Sequence, residues 1–401
     1  MRIVINRDLV ILFICQLISA TGTIVMVTLG GIIGAELADN PAWATLPVSL
    51  WVLALAATTI PAALLMRRIG RPLGFSLAAL SASAAVLVAA WALRIGSFAG
   101  FLFAAAAFGI NMAFTQQYRF AAVESAPAGY AGRAVSLVLI GSIGGALLGP
   151  MILRLTAGYG SESPYEGTML TLAALYFLGA IAALLLRRAE ADSPAAAVLP
   201  RRPLRQIVRQ PVFVVAVLGG TVGYGVMVFV MTATPLSMHT IDGFSLEQTA
   251  AVIRAHVLGM YLPAFVTGYL IDRFGVTAVM SVGAVTLLLS LGVGMTGHAL
   301  NQYWVALILL GVGWNFLFVG GTTMLTYAYS PNERFRAQAV NEFCVFSTAA
   351  IGSLLAGTIM YGYGWFMTVA VPVPLLAAVL AGLYLVRRNL TAHTRIGNMA
   401  Q

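Results

Sequence analysis

Charge is scarce in this 401-residue sequence. Only 9% of the residues are charged, where a soluble domain has roughly 25%. Lysine is absent, so the 22 basic residues are all arginine, and against 13 acids they give a net charge of +9. Hydrophobic residues make up 60% of the chain. This composition excludes a soluble globular protein and predicts a membrane protein with many helices, since about 20 apolar residues cross a bilayer.

Cysteine and catalytic motifs are scarce as well. Cys15 and Cys344 lie far apart in apolar stretches, which excludes a disulfide framework and a thiolate zinc site. We expect both to pack as small apolar residues, with service as a transit ligand as the alternative. The sequence has no GxSxG, P-loop or HExxH pattern. It therefore predicts neither an enzyme nor an ATP-driven pump, and no cofactor, but a secondary carrier or facilitator.

Twelve apolar runs, separated by Arg, Pro, Asp or Gly, predict twelve transmembrane helices. The first run extends to Ile33, which is too long for a signal peptide, so we expect it to be a retained helix. The predicted helices cover residues 9–33, 44–65, 73–93, 98–117, 134–153, 168–186, 211–235, 248–271, 277–297, 303–327, 338–361 and 366–386.

The arginines predict the orientation of these helices. With a cytoplasmic N-terminus, nineteen of the 22 arginines fall in cytoplasmic loops, tails or helix ends. Arg94 and Arg154 fall outside, and Arg254 lies within helix 8. Because positive charge collects in cytoplasmic loops, we expect a multi-pass protein of a bacterial inner membrane with both termini cytoplasmic. The basic charge thus reflects topology and a lipid partner, not nucleic acid.

Internal repetition predicts two related halves. Residues 65–70 (LMRRIG) align with 270–275 (LIDRFG) at a spacing of 205, and residues 109–111 (GIN) align with 313–315 (GWN) at 204. Such repeats are typical of carriers. The expected organisation is an N-terminal six-helix bundle at 1–186, a cytoplasmic linker at 187–210, and a C-terminal six-helix bundle with its tail at 211–401.

Residues 268–275 (GYLIDRFG) resemble the loop signature of the major facilitator superfamily. The resemblance implies an all-α membrane fold with twelve transmembrane helices in two pseudo-symmetric six-helix bundles. The first-half copy departs from the signature at Ala63, Arg67 and Pro72. The first half therefore lacks the aspartate on which the family would build an ion pair. We therefore predict that Asp272 meets Arg133 at the start of helix 5.

Helices 7 and 8 carry soft potential ligands. Met227 and Met231 share one face of helix 7, and His256 and Met260 share one face of helix 8. If the hairpin turns near Ile241, Met227 and His256 lie at similar depth. Thioethers and an imidazole suit Cu(I) better than Zn(II), Mg(II) or Mn(II), which favour anionic or oxygen ligands. Adaptable packing by methionine, and an interhelical hydrogen bond from His256, are the alternatives.

This paired spacing resembles the signature of the CcoA-like copper importers, a bacterial branch of the same superfamily. The resemblance implies copper import from periplasm to cytoplasm by alternating access, in support of haem-copper oxidase assembly. It implies Met227, Met231, His256 and Met260 as metal ligands, copper as substrate, a monomeric carrier, and copper chaperones as partners. Related members of that branch carry riboflavin-like solutes.

The rival prediction is a carrier of a small organic solute or anion. Arg254, in the outer half of helix 8, would neutralise an anionic group; otherwise it pairs with Glu247 or Asp242, or reaches the interface. Polar and aromatic side chains that would bind such a solute, or hold helices together, are Asn111, Gln116, Gln117, Tyr118, Trp314 and Asn315.

Several other residues are weaker candidates. Met26 is the pseudo-symmetric counterpart of Met231, and Met238 with His239 would capture copper in the outer loop, but packing or a solvated loop is favoured for each. Glu124 and Glu342 lie near the cytoplasmic ends of helices 4 and 11. We expect them to form salt bridges with arginine there, with proton carriage as the alternative.

Overall fold

The structure is a computed structural model that describes residues 6–39, 43, 46–127, 129–156, 159, 163–187 and 202–399. The regular elements in this part of the chain are helices, and no strand occurs in it. The helices are α1 (Arg7–Leu37), α2 (Leu46–Ile69), α3 (Arg71–Arg94), α4 (Phe98–Thr115), α5 (Tyr118–Ser125), α6 (Ala131–Thr156), α7 (Glu166–Leu184), α8 (Leu204–Val208), α9 (Pro211–Pro235), α10 (Leu246–Tyr261), α11 (Ala264–Phe274), α12 (Val276–Met295), α13 (Leu300–Leu325), α14 (Arg334–Ala370) and α15 (Val373–Met399).

These helices confirm the predicted all-α membrane fold. Within the described ranges, eleven segments are long and apolar enough to cross a bilayer. The last of them, Arg334–Arg387, has 54 residues and is interrupted at Gly364, where φ is 78°. It therefore contains both of the predicted final helices. The chain is a multi-pass membrane protein.

The chain forms two compact units. The first unit comprises Met1–Ala128 and Leu137–Leu199, and the second comprises Gly129–Ser136 and Pro200–Gln401. The division between residues 199 and 200 falls inside the segment 187–210 that we predicted as a linker. Residues 188–201 of that segment lie outside the described part of the chain.

Each unit is held together by helix packing around apolar side chains. In the first unit, α3 packs against α4 and α7, and α2 packs against α4. In the second unit, α9 packs against α13 and α14, while α13 also packs against α10 and α12. Helix α13 is therefore the centre of the second unit. Its fully buried side chains include Leu307, Leu310, Leu317 and Leu325.

The ends of α9 and α10 agree with the sequence. Helix α9 ends at Pro235 and continues into a π-helical turn, Leu236–Ile241. Helix α10 begins with a capping box, which the pattern Ser-Leu-Glu-Gln at residues 245–248 predicts. The Gln248 amide N–H donates to Ser245 Oγ at 3.1 Å, and the Ser245 amide N–H donates to Gln248 Oε1 at 3.0 Å. These bonds satisfy N–H groups that a helix leaves unpaired at its start.

Glycine corners join the second and third helices of each half. Gly70, between α2 and α3, has φ 86° and ψ 158°, and Gly275, between α11 and α12, has φ 85° and ψ 153°. A residue with a side chain rarely adopts this conformation. The two glycines are 205 residues apart. The backbone geometry therefore supports the duplication at that spacing.

The fourth helices of the halves correspond at a different spacing. A Cβ atom on Gly109 would lie 2.3 Å from the carbonyl oxygen of Trp51, and one on Gly311 would lie 2.6 Å from that of His256. Trp51 and His256 are 205 residues apart, whereas Gly109 and Gly311 are 202 apart. The second and fourth helices therefore make the same contact in both halves. The residues of the second helices correspond at a spacing of 205, and those of the fourth helices correspond at 202.

The predicted equivalence of Asn111 with Asn315, at a spacing of 204, is therefore wrong. The physical reason is helix length, because α12 has 20 residues where α3 has 24. The second half is shortened before its fourth helix begins. Asn111 and Asn315 consequently occupy different positions on the faces of α4 and α13.

An ionic anchor holds the start of the second unit. Glu333 is 1% exposed and accepts hydrogen bonds from the Arg202 side chain at 2.9 and 2.5 Å and from the Arg202 amide at 2.9 Å. The Ser330 amide donates to the same carboxylate at 3.0 Å. These bonds, that of the Arg202 side chain foremost, hold the pKa of Glu333 well below its usual value. The buried Ile207 of α8 adds an apolar contact.

Candidate functional site

Five aromatic side chains meet inside the second unit, and we call them the aromatic cluster: Tyr224, Tyr261, Trp314, Phe318 and Phe346. The Trp314 ring lies 5.7 Å from Tyr224, 6.0 Å from Tyr261 and 4.8 Å from Phe318, measured between centroids. Tyr224 also lies 5.4 Å from Phe318 and 5.3 Å from Phe346. Such faces and edges attract a flat aromatic ring.

The helix arrangement assembles this cluster. Trp314 and Phe318 are one turn apart on α13, and their rings stack with an interplanar angle of 18°. Tyr224 comes from α9 and Tyr261 from the last residue of α10, and both helices pack against α13. Phe346 comes from α14, which packs against α9. Side chains from four helices therefore converge around Trp314.

Trp314 carries an unused hydrogen-bond donor. Its side chain is 2% exposed, and its indole N–H has no hydrogen-bond partner among the described residues. Trp365, which is 3% exposed in the same unit, instead donates its N–H to the carbonyl oxygen of Gly294 at 2.9 Å. A buried donor without a partner costs about 1–3 kcal/mol. A bound molecule with a suitable acceptor would recover that energy.

His256 carries an unused acceptor. The side chain is fully buried, and its Nδ1 lies 2.8 Å from the carbonyl oxygen of Leu307 on α13. A carbonyl oxygen only accepts, so Nδ1 bears the hydrogen and donates it. In the neutral ring Nε2 then has a lone pair, and it has no partner in the described part of the chain. The predicted interhelical hydrogen bond of His256 is confirmed.

The structure places the four predicted copper ligands in one unit. Met227 is 2% exposed and Met260 is 8% exposed, while Met231 is half-buried. Their helices, α9 and α10, both pack against α13. The described residues contain no group of three or more His, Cys, Asp or Glu side chains that could hold a metal ion. A site built from thioethers stays a prediction.

Arg254 is exposed on α10 and forms no ion pair with the side chains that the structure describes. The alternative pairing with Asp242 is not formed: the Asp242 carboxylate instead accepts hydrogen bonds from Tyr303 at 2.6 Å and from His298 at 3.1 Å. The side chain of Glu247, the other predicted partner, lies outside the described residues. Arg254 is thus available to an anionic group.

The amide side chains that the sequence predicts as solute-binding groups differ in their hydrogen bonds. Both polar atoms of the Asn315 amide are hydrogen-bonded, since its oxygen accepts from the Thr267 hydroxyl at 2.6 Å and its nitrogen donates to the Met260 carbonyl at 2.7 Å. It therefore holds α13 to α10 and α11. Buried Asn111 has no hydrogen-bond partner among the described residues. Gln117 accepts from Arg71 at 3.4 Å.

The weaker candidates are mostly packed in the interior. Met26, Met238 and Cys15 are 4%, 0% and 3% exposed, and Cys344 is half-buried. His239 is exposed, and its Nδ1 lies 2.8 Å from the carbonyl oxygen of Phe244. This burial fits the packing interpretation of Met26 and Cys15.

Two predicted ion pairs are confirmed. Arg133 binds Asp272 within the second unit. In the first unit Arg71 binds Glu124 with two hydrogen bonds, at 2.9 and 2.6 Å. Glu342 accepts a hydrogen bond from the Asn341 amide at 2.8 Å. The pairs of Asp272 and Glu124 lie at helix ends, whereas Glu342 is fully buried in the third turn of α14 and stays a candidate for proton carriage.

Sequence reasoning missed most of the aromatic cluster. It named Trp314, but Tyr224, Tyr261, Phe318 and Phe346 each stand alone in an apolar run. The only local signal was the i, i+4 spacing of Trp314 and Phe318. The cluster depends on which faces of four helices meet.

The comparisons with known proteins agree on the family. The model described as Major Facilitator Superfamily matches residues 12–260 and 229–399. The riboflavin transporter RfnT of Brucella anthropi is 37% identical over 381 residues, which cover 95% of this chain and 96% of that protein. The uncharacterized MFS-type transporter YdeG of Bacillus subtilis is 27% identical, over 89% of this chain and 86% of that protein.

Solved structures share the fold. The transporter FucP in its outward conformation matches with a TM-score of 0.73 at 14% identity, over 94% of this chain and 98% of that chain. A bacterial homologue of the iron transporter ferroportin, in an outward-facing state, matches with a TM-score of 0.73 at 10% identity, over 95% and 99%. At these identities the likeness concerns the fold alone.

Proposed function

Because this chain belongs to the major facilitator superfamily and is a transporter, not an enzyme, we propose that it carries a flat heteroaromatic solute of the riboflavin type. An organic solute is the alternative to copper that the sequence predicts. The 37% identity with a riboflavin transporter over 95% of the chain favours that alternative. Its setting is a bacterial inner membrane, with both termini cytoplasmic.

The observation that carries the proposal is the aromatic cluster with the unused N–H of Trp314. Rings at centroid distances of 4.8–6.0 Å around Trp314 match the spacing of stacked and edge-to-face aromatic pairs. A riboflavin-like molecule combines a flat ring system with carbonyl acceptors. It would therefore stack on the cluster and accept the Trp314 hydrogen. Arg254 would meet an anionic group if the solute has one.

Copper import remains the second candidate. The specific observation in its favour is the buried Nε2 lone pair of His256, one turn from Met260, because an imidazole and a thioether both bind Cu(I). The site would comprise Met227, Met231, His256 and Met260.

Uptake measurements separate the two candidates. Cells that lack other importers and express this protein should accumulate labelled riboflavin and should not accumulate labelled copper. Copper accumulation without riboflavin accumulation would exclude the flavin proposal. The W314F variant keeps the ring and removes the N–H, so we expect the KM for riboflavin to rise about tenfold, the effect of one hydrogen bond of about 1.4 kcal/mol.

The matched control is W365F. Trp365 is as buried as Trp314, but its N–H is already bonded to Gly294, away from the aromatic cluster. This variant should affect the amount of folded protein and leave the KM for riboflavin unchanged. Equal KM values for W314F and the unaltered protein would contradict the assignment of Trp314.

A further inference from the structure

The membrane-spanning segment Ala251–Phe274 is broken at its centre. Helix α10 ends at Tyr261 and α11 begins at Ala264, with a turn at Leu262 and Pro263 between them. Proline has no amide hydrogen, so it cannot donate to the carbonyl oxygen one turn before it. The last carbonyl groups of a helix have no partner within that helix. In a membrane span, other side chains have to supply the missing hydrogen bonds.

Asn315 on α13 supplies hydrogen bonds on both sides of this break. Its amide nitrogen donates to the carbonyl oxygen of Met260, in the last turn of α10, at 2.7 Å. Its amide oxygen accepts from the hydroxyl of Thr267, on α11, at 2.6 Å. Asn315 and Thr267 are both 0% exposed. One buried amide therefore binds both helices that meet at the break.

The first unit has neither this break nor these polar side chains. The counterparts of Pro263, Thr267 and Asn315, at spacings of 205, 205 and 202, are Thr58, Ala62 and Ala113. Helix α2 contains Pro61, yet it is continuous from Leu46 to Ile69. The asparagine and its threonine partner therefore accompany the broken helix, and an intact second helix is built without them.

The bond to Met260 lies next to a contact of the aromatic cluster. Met260 directly precedes Tyr261, and Asn315 directly follows Trp314. The rings of Tyr261 and Trp314 meet edge to face, with centroids 6.0 Å apart and an interplanar angle of 83°. The backbones are close here too, because a Cβ atom on Gly311 would lie 2.7 Å from the Met260 amide nitrogen. The end of α10 is thus held against α13 at two points, one turn apart.

We propose that Asn315 is a positioning residue for the solute site. Through the Met260 carbonyl it holds the broken end of α10 so that the Tyr261 ring faces Trp314, and Tyr261 then contacts the solute. An amide suits this role because it donates to one helix and accepts from another without a charge inside the membrane. Broken helices near the middle of the membrane are typical of solute sites in carriers. This inference rests on the proposed function and adds the residue that sets the shape of its site.

The test is a double-variant cycle of N315L and Y261L, measured as the KM for riboflavin uptake. N315L keeps a branched side chain and removes both hydrogen bonds, so we expect the KM to rise about fivefold. In a protein that already carries Y261L there is no ring left to position, and N315L should leave the KM unchanged. The KM does not depend on how much protein reaches the membrane.

The hydroxyl of Thr267 offers a milder variant with a conservative rescue. T267V removes the donor to Asn315 but leaves the bond from Asn315 to Met260, so we expect the KM to rise about twofold. T267S restores the hydroxyl and should return the KM to that of the unaltered protein. If N315L does not reach the membrane, T267V decides the question, because an unchanged KM in T267V would overturn the inference.

The matched control is S290A. The Ser290 side chain is 2% exposed and donates to the carbonyl oxygen of Ala306 at 2.7 Å, which binds α12 to α13 away from α10. Loss of this bond should reduce the amount of folded protein and leave the KM unchanged. A KM for S290A that rises as much as that for N315L would mean that any lost helix contact weakens uptake, and it would overturn the assignment of Asn315.

The outcomes distinguish this inference from the proposed function. If the unaltered protein imports no riboflavin, the proposed function fails. If it imports riboflavin and N315L has an unchanged KM, the proposed function stands and the inference about Asn315 is overturned. The same holds if N315L raises the KM about fivefold in the Y261L background as well, because Asn315 would then act independently of Tyr261.

Discussion

The ionic anchor between Arg202 and Glu333 should contribute measurably to the stability of the second unit. The R202A variant removes the guanidinium and leaves the carboxylate of Glu333, which is 1% exposed, with the backbone amide of residue 202 and the donors of Ser330. The E333Q variant instead removes the charge and keeps a side chain of nearly the same size. We expect R202A to destabilise more than E333Q, because a buried carboxylate without its counter-ion is costly.

The structure sets the size of the effect. Hydrogen bonds to charged groups contribute about 1.5–3 kcal/mol each. The Arg202 side chain is 41% exposed, so water screens its charge and reduces this contribution. We therefore expect a loss of about 1–3 kcal/mol for R202A and a smaller loss for E333Q. In the double variant the losses should not add, since both substitutions break the same bonds.

The pH dependence gives an independent check. The pKa of Glu333 is lower in the folded protein than in the unfolded chain, mainly through the Arg202 side chain. Its stabilisation is therefore complete above the unfolded pKa, about 4.3, and is lost as the pH falls through and below it. The midpoint of thermal unfolding in detergent should drop between about pH 5 and pH 3, and it should drop less in E333Q.

Two results would refute this reasoning. Additive losses in the double variant would mean that Arg202 and Glu333 stabilise the protein independently. Identical pH profiles for E333Q and the unaltered protein would mean that Glu333 does not have a lowered pKa. R205A is a suitable control, because Arg205 is exposed on the same short helix, and it should unfold like the unaltered protein.

Two further predictions concern helix contacts in the second unit. The D272R variant should lose most transport activity, because it places like charges at the confirmed pair. The double exchange R133D/D272R should recover part of that activity. Uptake unchanged by D272R would show that the pair is dispensable. The G311A variant should lower the free energy of unfolding, because its Cβ would lie 2.6 Å from the His256 carbonyl oxygen. The control G292A, at a position with open space, should leave the free energy of unfolding unchanged or raise it by up to about 1 kcal/mol, the helix preference of alanine. Equal effects of the two variants would contradict the close packing at Gly311.

Much of the fold could be predicted, because long apolar runs in the sequence indicate membrane-spanning helices. The capping box at Ser245 and the pairing of Arg133 with Asp272 also followed from local pattern and internal repetition. The register of the fourth helices could not be predicted in this way. The matching residues GIN at 109–111 and GWN at 313–315 are similar in sequence but do not make equivalent helix contacts. Only the packing of Gly109 and Gly311 revealed the true spacing of 202.

The candidate site was harder to predict than the fold. A buried membrane helix is apolar all round, so its sequence does not indicate which face meets a neighbour. Tyr224 and Phe346 are 122 positions apart, and nothing local relates them. Methionine and histidine at helical spacing were conspicuous by comparison, which drew the interpretation towards copper. The unused groups on His256 and Trp314 became visible only when their surroundings were known.

The glycine corners show what the two halves of a duplicated carrier have kept in common. The first-half loop has Ala63, Arg67 and Pro72 where the signature calls for other residues, yet Gly70 keeps the backbone angles of Gly275 to within 5°. A single residue joins two membrane-spanning helices at each corner, so a side chain there would strain both. The two copies of the loop therefore differ at the charged positions and agree in the bend. What the two copies of this loop share is therefore the backbone conformation of a single glycine between two helices.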